Sequence, residues 1–298
     1  MSGRTIDAHD FRPVWSGKNG CGERPVYAPG ENALYWVDCN NPTMFRLDLA
    51  GGAPREWKLP SRVGTFALRA DGGGAIVALT DGFYDLCFAT GEVALAAHTN
   101  TSAKFFLNDG RCDLAGRFLA GVVNHDILKG DTELGRIYRY DKGAVTPLLQ
   151  NVLAANGMAF SPDGLTFYNG CCGSNTVFAH DYELEIGAIS NSRVFAKIDA
   201  PGCYIDGAAV DDEGGYWLTL YGAGRVLRFL PDGTLERSIQ LPLSRPTMVA
   251  FGGNDFATMF VTTAADRIDP RMPEPEAGNG SLWAFDPGFR GLPEPMIK

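Results

Sequence analysis

The sequence predicts an all-β fold built from one repeated unit, because turn formers, strand-like runs and a constant spacing occur together. Gly occurs 37 times and Pro 18 times among 298 residues, which indicates many turns rather than long helices. Short runs rich in aromatic and β-branched residues lie between these turns, as in residues 33–38. No helical periodicity lasts long enough to predict the crossover helices of a parallel α/β fold.

Two consecutive units show the repeat clearly. In residues 157–182, a short run leads through a Ser-Pro-Asp-Gly turn to two further runs, and residues 207–229 repeat that order. Each unit spans about 45–50 residues and holds three or four strands, which is typical of a propeller blade. We therefore expect residues 1–298 to form a single six-bladed β-propeller domain. A β-sandwich with a second small domain is the alternative, but its strands would not repeat at a constant long period.

The composition limits the binding partners and the cellular compartment that we expect for this protein. The net charge of −9, without a Lys/Arg run, argues against nucleic acid or an anionic membrane as a partner. The start of the chain has no apolar signal segment, and no stretch approaches the roughly 18 apolar residues that span a bilayer. Seven cysteines without a C-x-x-C pair favour free thiols in a reducing cytoplasm. We expect a cytoplasmic protein that is a monomer or a weak homo-oligomer.

Four acidic or amide residues stand at expected loop positions, each with a turn former beside it: Glu23, Asn108, Asn156 and Asp206. The gaps between them are 85, 48 and 50 residues, close to two, one and one times a common length. Since the inner strands of a propeller line one channel, equivalent places in different blades face one another across the axis. Carboxylate and amide oxygens are the ligands that hard divalent cations prefer. The alternative is that each residue merely caps a turn.

Other catalytic patterns are weak. No histidine or cysteine joins the repeated pattern, so a closed structural zinc site is not indicated. The sequence also has no G-x-S-x-G elbow, which disfavours a serine hydrolase.

Several short stretches together resemble a known family. They occur in the family's order at residues 23–27, 108–110, 113–121, 135–138, 156–164, 206–208, 224–226 and 251–253. The chain resembles the senescence marker protein (regucalcin)/gluconolactonase/luciferin-regenerating enzyme family of six-bladed propellers, whose enzymes mostly hydrolyse sugar lactones to aldonic acids. The resemblance covers nearly the whole chain.

The resemblance implies one divalent cation (Ca²⁺, Mn²⁺, Mg²⁺ or Zn²⁺) on Glu23, Asn156 and Asp206, with Asn108 and Asp126 binding substrate. We therefore expect a metal-dependent lactonase that opens a small sugar-derived lactone, and we assign Asp206 as the carboxylate that also accepts the proton of water. Two alternatives stay open. One is a metal-dependent organophosphate or other ester hydrolase of the same fold, and the other is a non-catalytic calcium-binding propeller.

Three departures from the family pattern bear on the substrate. Arg24 stands where members usually carry Gly, and a guanidinium matches carboxylates, phosphates and sulfonates. Arg24 is therefore a candidate for binding an acidic group on the substrate, with an exposed, solvated side chain as the alternative. Phe106 stands where sugar lactonases often carry Arg. Cys171 and Cys172 occupy a stretch where many relatives carry Asp.

Overall fold

The computed structural model describes residues 4–298, which form 25 strands and one short 3₁₀ helix, Ile127–Lys129. Several strands in the middle of a sheet are buried along their whole length, because neighbouring sheets pack on both of their faces. Strands at the outer edge carry mostly exposed and half-buried residues. Aromatic and β-branched runs therefore become central strands, and the more polar runs become edges.

The strands form six sheets that surround one axis as blades, which confirms the predicted six-bladed β-propeller. Two N-terminal strands precede the blades: β1 (Arg4–Asp7) and β2 (His9–Trp15). Blade 1 contains β3 (Gly22–Ala28), β4 (Ala33–Asp38), β5 (Thr43–Asp48) and β6 (Arg55–Lys58). Blade 2 contains β7 (Val63–Leu68), β8 (Gly74–Leu79), β9 (Gly82–Cys87) and β10 (Val93–His98). Blade 3 contains β11 (Phe105–Cys112), β12 (Phe118–Asn124), β13 (Gly135–Asp141) and β14 (Ala144–Val152).

The remaining blades continue in chain order. Blade 4 contains β15 (Ala155–Phe160), β16 (Thr166–Cys171), β17 (Thr176–Glu183) and β18 (Ala188–Lys197). Blade 5 contains β19 (Tyr204–Val210), β20 (Tyr216–Tyr221), β21 (Arg225–Phe229) and β22 (Leu235–Gln240). Blade 6 contains β23 (Pro246–Gly252), β24 (Thr258–Thr263) and β25 (Leu282–Asp286).

The N-terminal strands close the ring. Strand β2 pairs antiparallel with β25 and supplies the fourth strand of blade 6, while β1 adds a parallel edge strand to blade 5 through β22. The inner strands β23 and β3 pack against each other, so that blade 6 meets blade 1. The first strand of every blade therefore lines a common channel, and the starts of these strands surround one mouth of it.

The C-terminal strap, residues 287–298, covers the other end of the channel. Gly291 forms a β-bridge with Asp211, which directly follows the inner strand of blade 5. The Ile297 N–H donates to the carbonyl of Leu68, the last residue of the inner strand of blade 2, at 2.9 Å. Glu294 lies between these points and faces residues at the far ends of the inner strands. The strap therefore lies at the end of the channel opposite to the starts of the inner strands.

Two sequence expectations concern the chain as a whole. All seven cysteines lie within residues 4–298 and are free thiols, as expected. Within the same residues, no helix has the length and apolar character needed to cross a membrane.

Candidate active site

The four repeated polar residues lie in strands rather than in loops, which corrects the expectation drawn from their neighbouring turn formers. Glu23 lies in β3, Asn108 in β11, Asn156 in β15 and Asp206 in β19. At or next to each of them, the pairing is irregular, and two residues of the inner strand lie opposite one residue of its partner. Such a β-bulge turns side chains out of the regular alternation. The dipeptides that resemble turns therefore serve to aim side chains at the channel mouth.

Gly157 shows why one of these bulges needs glycine. Its φ of 59° lies in the left-handed region, and a Cβ built on it would lie 2.5 Å from the Tyr216 hydroxyl. That hydroxyl donates to the Gly157 carbonyl at 2.7 Å and ties blade 4 to blade 5. The close approach holds the neighbouring Asn156 in place.

We expect Gly157→Ala to destabilise the fold by about 1–3 kcal/mol, because the side chain strains φ and collides with Tyr216. Thermal unfolding of the purified variant measures this. Gly143→Ala is the matched control, since Gly143 also has a positive φ, of 83°, but has open space around its Cβ position. An equal loss in both variants would show that contact with Tyr216 has no cost.

Three of the four residues touch one another. The Asn108 Nδ2 donates to the Ala155 carbonyl at 3.1 Å and to Asn156 Oδ1 at 2.9 Å. The same Asn156 Oδ1 lies 3.2 Å from Asp206 Oδ1. Residues separated by about 50 positions in the sequence, on blades 3, 4 and 5, are thus neighbours at the mouth.

The Asn156 amide cannot satisfy both of its neighbours while Asp206 is ionised. With Oδ1 toward them, it accepts from Asn108 but opposes the acceptor oxygen of Asp206. With the amide turned, Nδ2 donates to Asp206 at 3.2 Å but faces the Asn108 Nδ2 at 2.9 Å. The bond to Ala155 fixes the orientation of Asn108. A cation beside Asp206 and the Asn156 oxygen would remove this conflict, because both oxygens would then be ligands.

The two carboxylates of the mouth lack a basic partner. Burial raises the pKa of Glu23 well above its usual value, and the negative charge of Asp206 raises it further. Burial also raises the pKa of Asp206, with an added contribution from Asp109. No arginine, lysine or histidine of residues 4–298 forms a salt bridge with Glu23 or Asp206. Buried acids that repel each other are costly, and a divalent cation would relieve that cost.

These observations fit a hard cation. Within residues 4–298, no group of three or more His, Cys, Asp and Glu side chains is arranged to hold a metal. A cation at this mouth would therefore depend on the amide oxygen of Asn156 as well as on Glu23 and Asp206. Oxygen donors of this kind suit Ca²⁺, Mg²⁺ or Mn²⁺.

Asp109 is a supporting residue that sequence reasoning missed. Its side chain is buried, Oδ1 accepts from the Gly110 N–H at 2.7 Å, and Oδ2 accepts from the Met158 N–H at 2.7 Å. Burial raises the pKa of Asp109, although the nearby Arg111 and Arg24 oppose that change. Asp109 thus joins the bulge of blade 3 to the bulge of blade 4. Its place in Asn-Asp-Gly made it look like a turn residue.

Arg24 does not reach the mouth, so its assignment as a substrate-binding or solvated residue is wrong. The side chain is 1% exposed, and Nε donates to the Phe66 carbonyl at 3.3 Å. Its Nη2 donates to Glu294 of the C-terminal strap, which also binds Arg111 Nη1 at 2.7 Å. The guanidinium therefore lies inside the channel and points toward the closed end.

Asp126 lies at the edge of the site. It precedes the 3₁₀ helix of blade 3, its side chain is 46% exposed, and Oδ1 binds the Lys129 ammonium at 2.7 Å. It forms no hydrogen bond with Asn108, Asn156 or Asp206. Its contact with substrate stays a prediction.

Cys172 lies beside the oxygen cluster. Burial raises the pKa of its thiol to about 12, and the negative charge of Asp206 contributes to that shift, while contact with Asn156 opposes it. The thiol is therefore protonated at neutral pH and is not a nucleophile. With Phe106, Val123 and Ala154 it forms an apolar wall of the mouth.

Arg62 is a second residue that the sequence reasoning missed. It directly precedes β7, the inner strand of blade 2, and its guanidinium carbon lies 4.5 Å from the centre of the Phe106 ring. The His125 ring is also 4.7 Å from Phe106. The position just before an inner strand, which drew attention to Glu23, would have identified Arg62 by the same logic.

Fold and mouth together define a class: a six-bladed β-propeller that gathers carboxylate and amide oxygens where its inner strands begin. The chain belongs to the SMP-30/gluconolactonase/LRE-like family, whose model, described as "SMP-30/Gluconolactonase/LRE-like region", matches residues 21–265. This confirms the family resemblance that the sequence motifs indicated.

Curated relatives match over nearly their full length. The chain is 34% identical over 280 residues to the 6-deoxy-6-sulfogluconolactonase of Pseudomonas putida, covering 93% of this chain and 94% of that protein. It is 32% identical over 280 residues to the regucalcin of Sus scrofa, covering 92% and 93%.

Solved structures show the same fold. Regucalcin from Agrobacterium tumefaciens, described as a calcium-binding protein, aligns with a TM-score of 0.89 at 25% identity over 99% of both chains. A luciferin-regenerating enzyme aligns with a TM-score of 0.88 at 24% identity, over 96% of this chain and 100% of that one.

Proposed function

We propose that this protein is a divalent-metal-dependent lactonase that opens a sugar-derived lactone to the sugar acid. One observation carries the proposal: where the inner strands begin, two carboxylates without a salt-bridge partner in the described part of the chain lie close to an amide oxygen, which is 3.2 Å from one of them. Glu23, Asn156 and Asp206 would hold the cation. The names of the relatives, gluconolactonase and 6-deoxy-6-sulfogluconolactonase, support a lactone as substrate.

The reaction adds water to the lactone carbonyl carbon and breaks the bond from that carbon to the ring oxygen. Asp206 accepts the proton of the attacking water, since its carboxylate lies at the mouth beside the Asn156 amide. The proton then passes to the ring oxygen, which leaves as a hydroxyl, and the product is the sugar acid. Bound at this site, a divalent cation supplies polarisation of the carbonyl and acidification of water.

The other residues of the mouth orient the reactants. Asn108 presents an amide next to Asn156 and Asp206, so that its contacts position the substrate or the attacking water. Asp126 supplies a carboxylate at the rim for substrate hydroxyls. The apolar wall that contains Phe106 and Cys172 excludes solvent from one side of the site.

Removal and return of the metal tests the function. We expect chelator to lower the rate of acid release from D-glucono-1,5-lactone by at least about a hundredfold, and one of Ca²⁺, Mn²⁺, Mg²⁺ or Zn²⁺ to restore it. A pH-stat assay over neutral and anionic sugar lactones measures this, with a phosphotriester as the comparison substrate. Rates that survive chelation would contradict the metal dependence. Turnover of the phosphotriester alone would favour an organophosphate hydrolase, and metal binding without turnover would favour a calcium-binding propeller.

A further inference from the structure

Arg62 lies at the mouth, where its guanidinium contacts a neutral amide and an aromatic ring but no carboxylate of the described residues. Its Nη1 donates to the Asn40 Oδ1 at 2.5 Å, and the Asn40 Nδ2 in turn donates to Asp266 at 2.8 Å. The guanidinium lies over the Phe106 ring, which holds its plane but accepts none of its hydrogen bonds. Asn40 and Phe106 therefore fix the orientation of the group without neutralising it.

Within residues 4–298, Arg62 has no salt-bridge partner, and its one side-chain hydrogen bond is that from Nη1 to Asn40. Two other cations of nearby mouth loops differ in this respect. Lys104 pairs with Asp131 and Glu133, and Lys129 pairs with Asp126. A guanidinium that is held in place and still has free N–H donors can bind an acceptor group with little loss of conformational entropy. Arg62 thus has the features of a ligand-binding cation.

The position of Arg62 relates it to the proposed reaction centre. Phe106, on which it stacks, lies two residues before Asn108 on the same inner strand. Phe106 also packs in the apolar wall with Cys172. The Cys172 thiol contacts Asn156 and lies close enough to Asp206 to interact with its charge. The guanidinium and the oxygen cluster therefore flank the same wall, so that one small molecule can contact both.

We propose that Arg62, held on Phe106, binds an anionic group that the substrate carries away from its lactone carbonyl. This inference rests on the lactonase function proposed above and names the substrate class as acidic sugar lactones. The shared chemistry is an oxyanion with two or three acceptor oxygens, as in a carboxylate or a sulfonate, because the guanidinium edge presents paired N–H donors. Arg62 thus takes the role of binding an acidic group on the substrate, for which the sequence had indicated Arg24.

The experiment compares lactones that differ in charge. D-glucaro-1,4-lactone carries a free carboxylate at the position where D-glucono-1,4-lactone carries a neutral hydroxymethyl group, and 6-deoxy-6-sulfogluconolactone carries a sulfonate there. In Arg62→Met, which keeps the length of the stem and loses the charge, we expect kcat/KM for the anionic lactones to fall about tenfold to a hundredfold, mainly through KM. The value for the neutral lactone should change less than about twofold. The two anionic lactones distinguish carboxylate from sulfonate recognition.

Two further variants control the comparison. Arg55→Met removes a guanidinium that stacks on Trp57 at 4.7 Å on the outer strand of blade 1, and it should leave all the lactones unaffected. Arg62→Lys retains the charge but loses the fork, so we expect an intermediate loss on the anionic lactones only. If Arg62→Met unfolds, as shown by circular dichroism, Arg62→Lys carries the test. Calorimetric titration with D-glucarate should show the same loss of affinity without turnover.

The outcomes separate the two proposals. Wild-type protein that opens lactones without preferring the anionic ones, or Arg62 variants that lose activity equally on all of them, would overturn the role of Arg62 and leave the lactonase function intact. Wild-type protein that opens no lactone of either charge would overturn the function itself.

Discussion

Asp206→Asn lowers kcat/KM for the lactone that wild-type protein opens by at least about a thousandfold, because the proposed base and one proposed cation ligand are lost together. The amide has nearly the shape of the carboxylate, so the propeller stays folded. Steady-state rates in the presence of the activating metal measure the loss, and circular dichroism verifies the fold. Normal turnover by this variant would contradict the assignment of Asp206.

The same variant has a predicted effect on stability. Because burial raises the pKa of Asp206 and of Glu23, the ion-free folded state pays an electrostatic penalty that is absent below the unfolded pKa of about 4 and grows as pH rises. Asp206→Asn should therefore raise the Tm in chelator at pH 8 and much less at pH 4. Asp199→Asn, at an exposed position, is the control and should leave the Tm and the rates unchanged. A lower Tm for Asp206→Asn at pH 8 would contradict the repulsion.

Glu294→Gln lowers the free energy of unfolding by about 3–5 kcal/mol, since it removes the one carboxylate of the described chain that forms salt bridges with the buried guanidinium groups of Arg24 and Arg111. Urea unfolding at pH 7 measures the change. Glu274→Gln is the matched control, because Glu274 pairs with Arg267 at 3.1 Å on the surface and should contribute less than about 1 kcal/mol.

The pH dependence of this variant has a defined sign. Burial alone would raise the pKa of Glu294, but Arg111 and Arg24 outweigh it, and the pKa is lowered. The pair therefore stabilises the fold above the unfolded pKa, and the contribution is lost as pH falls through the lowered value. The free energy of unfolding of Glu294→Gln should therefore fall less than that of wild type when the pH is lowered from 7 to 3. An equal difference between wild type and variant at pH 7 and pH 3 would contradict it.

The ring of blades was predictable because its signal is local and repeated. Aromatic and β-branched runs form buried central strands wherever they occur, and their constant spacing shows that the same sheet is made several times. The spacing also brought Asn108, Asn156 and Asp206 into one group. Their contacts follow from equivalent positions on inner strands, which is a property of the repeat and not of any one motif.

The two corrections concern features that the local sequence does not determine. Asn-Gly and Asp-Gly favour positive φ in a hairpin turn and in a β-bulge alike, and only the pairing with the next strand decides between them. Arg24 depends on Glu294, which lies 270 residues further along the chain. The direction of its side chain is set when the C-terminal strap covers the channel. No feature near Arg24 in the sequence signals that partner.

The pairing of β2 with β25 and of β1 with β22 has a consequence for biosynthesis. Each of these two strands is synthesised well before the strand with which it pairs. Blades 1 to 4 can assemble from contiguous chain while translation proceeds, but blade 6 is incomplete until β25 has been made and β2 pairs with it. This long-range step makes late closure slow, and until it occurs the unpaired edge of β25 is open to strands from other nascent chains.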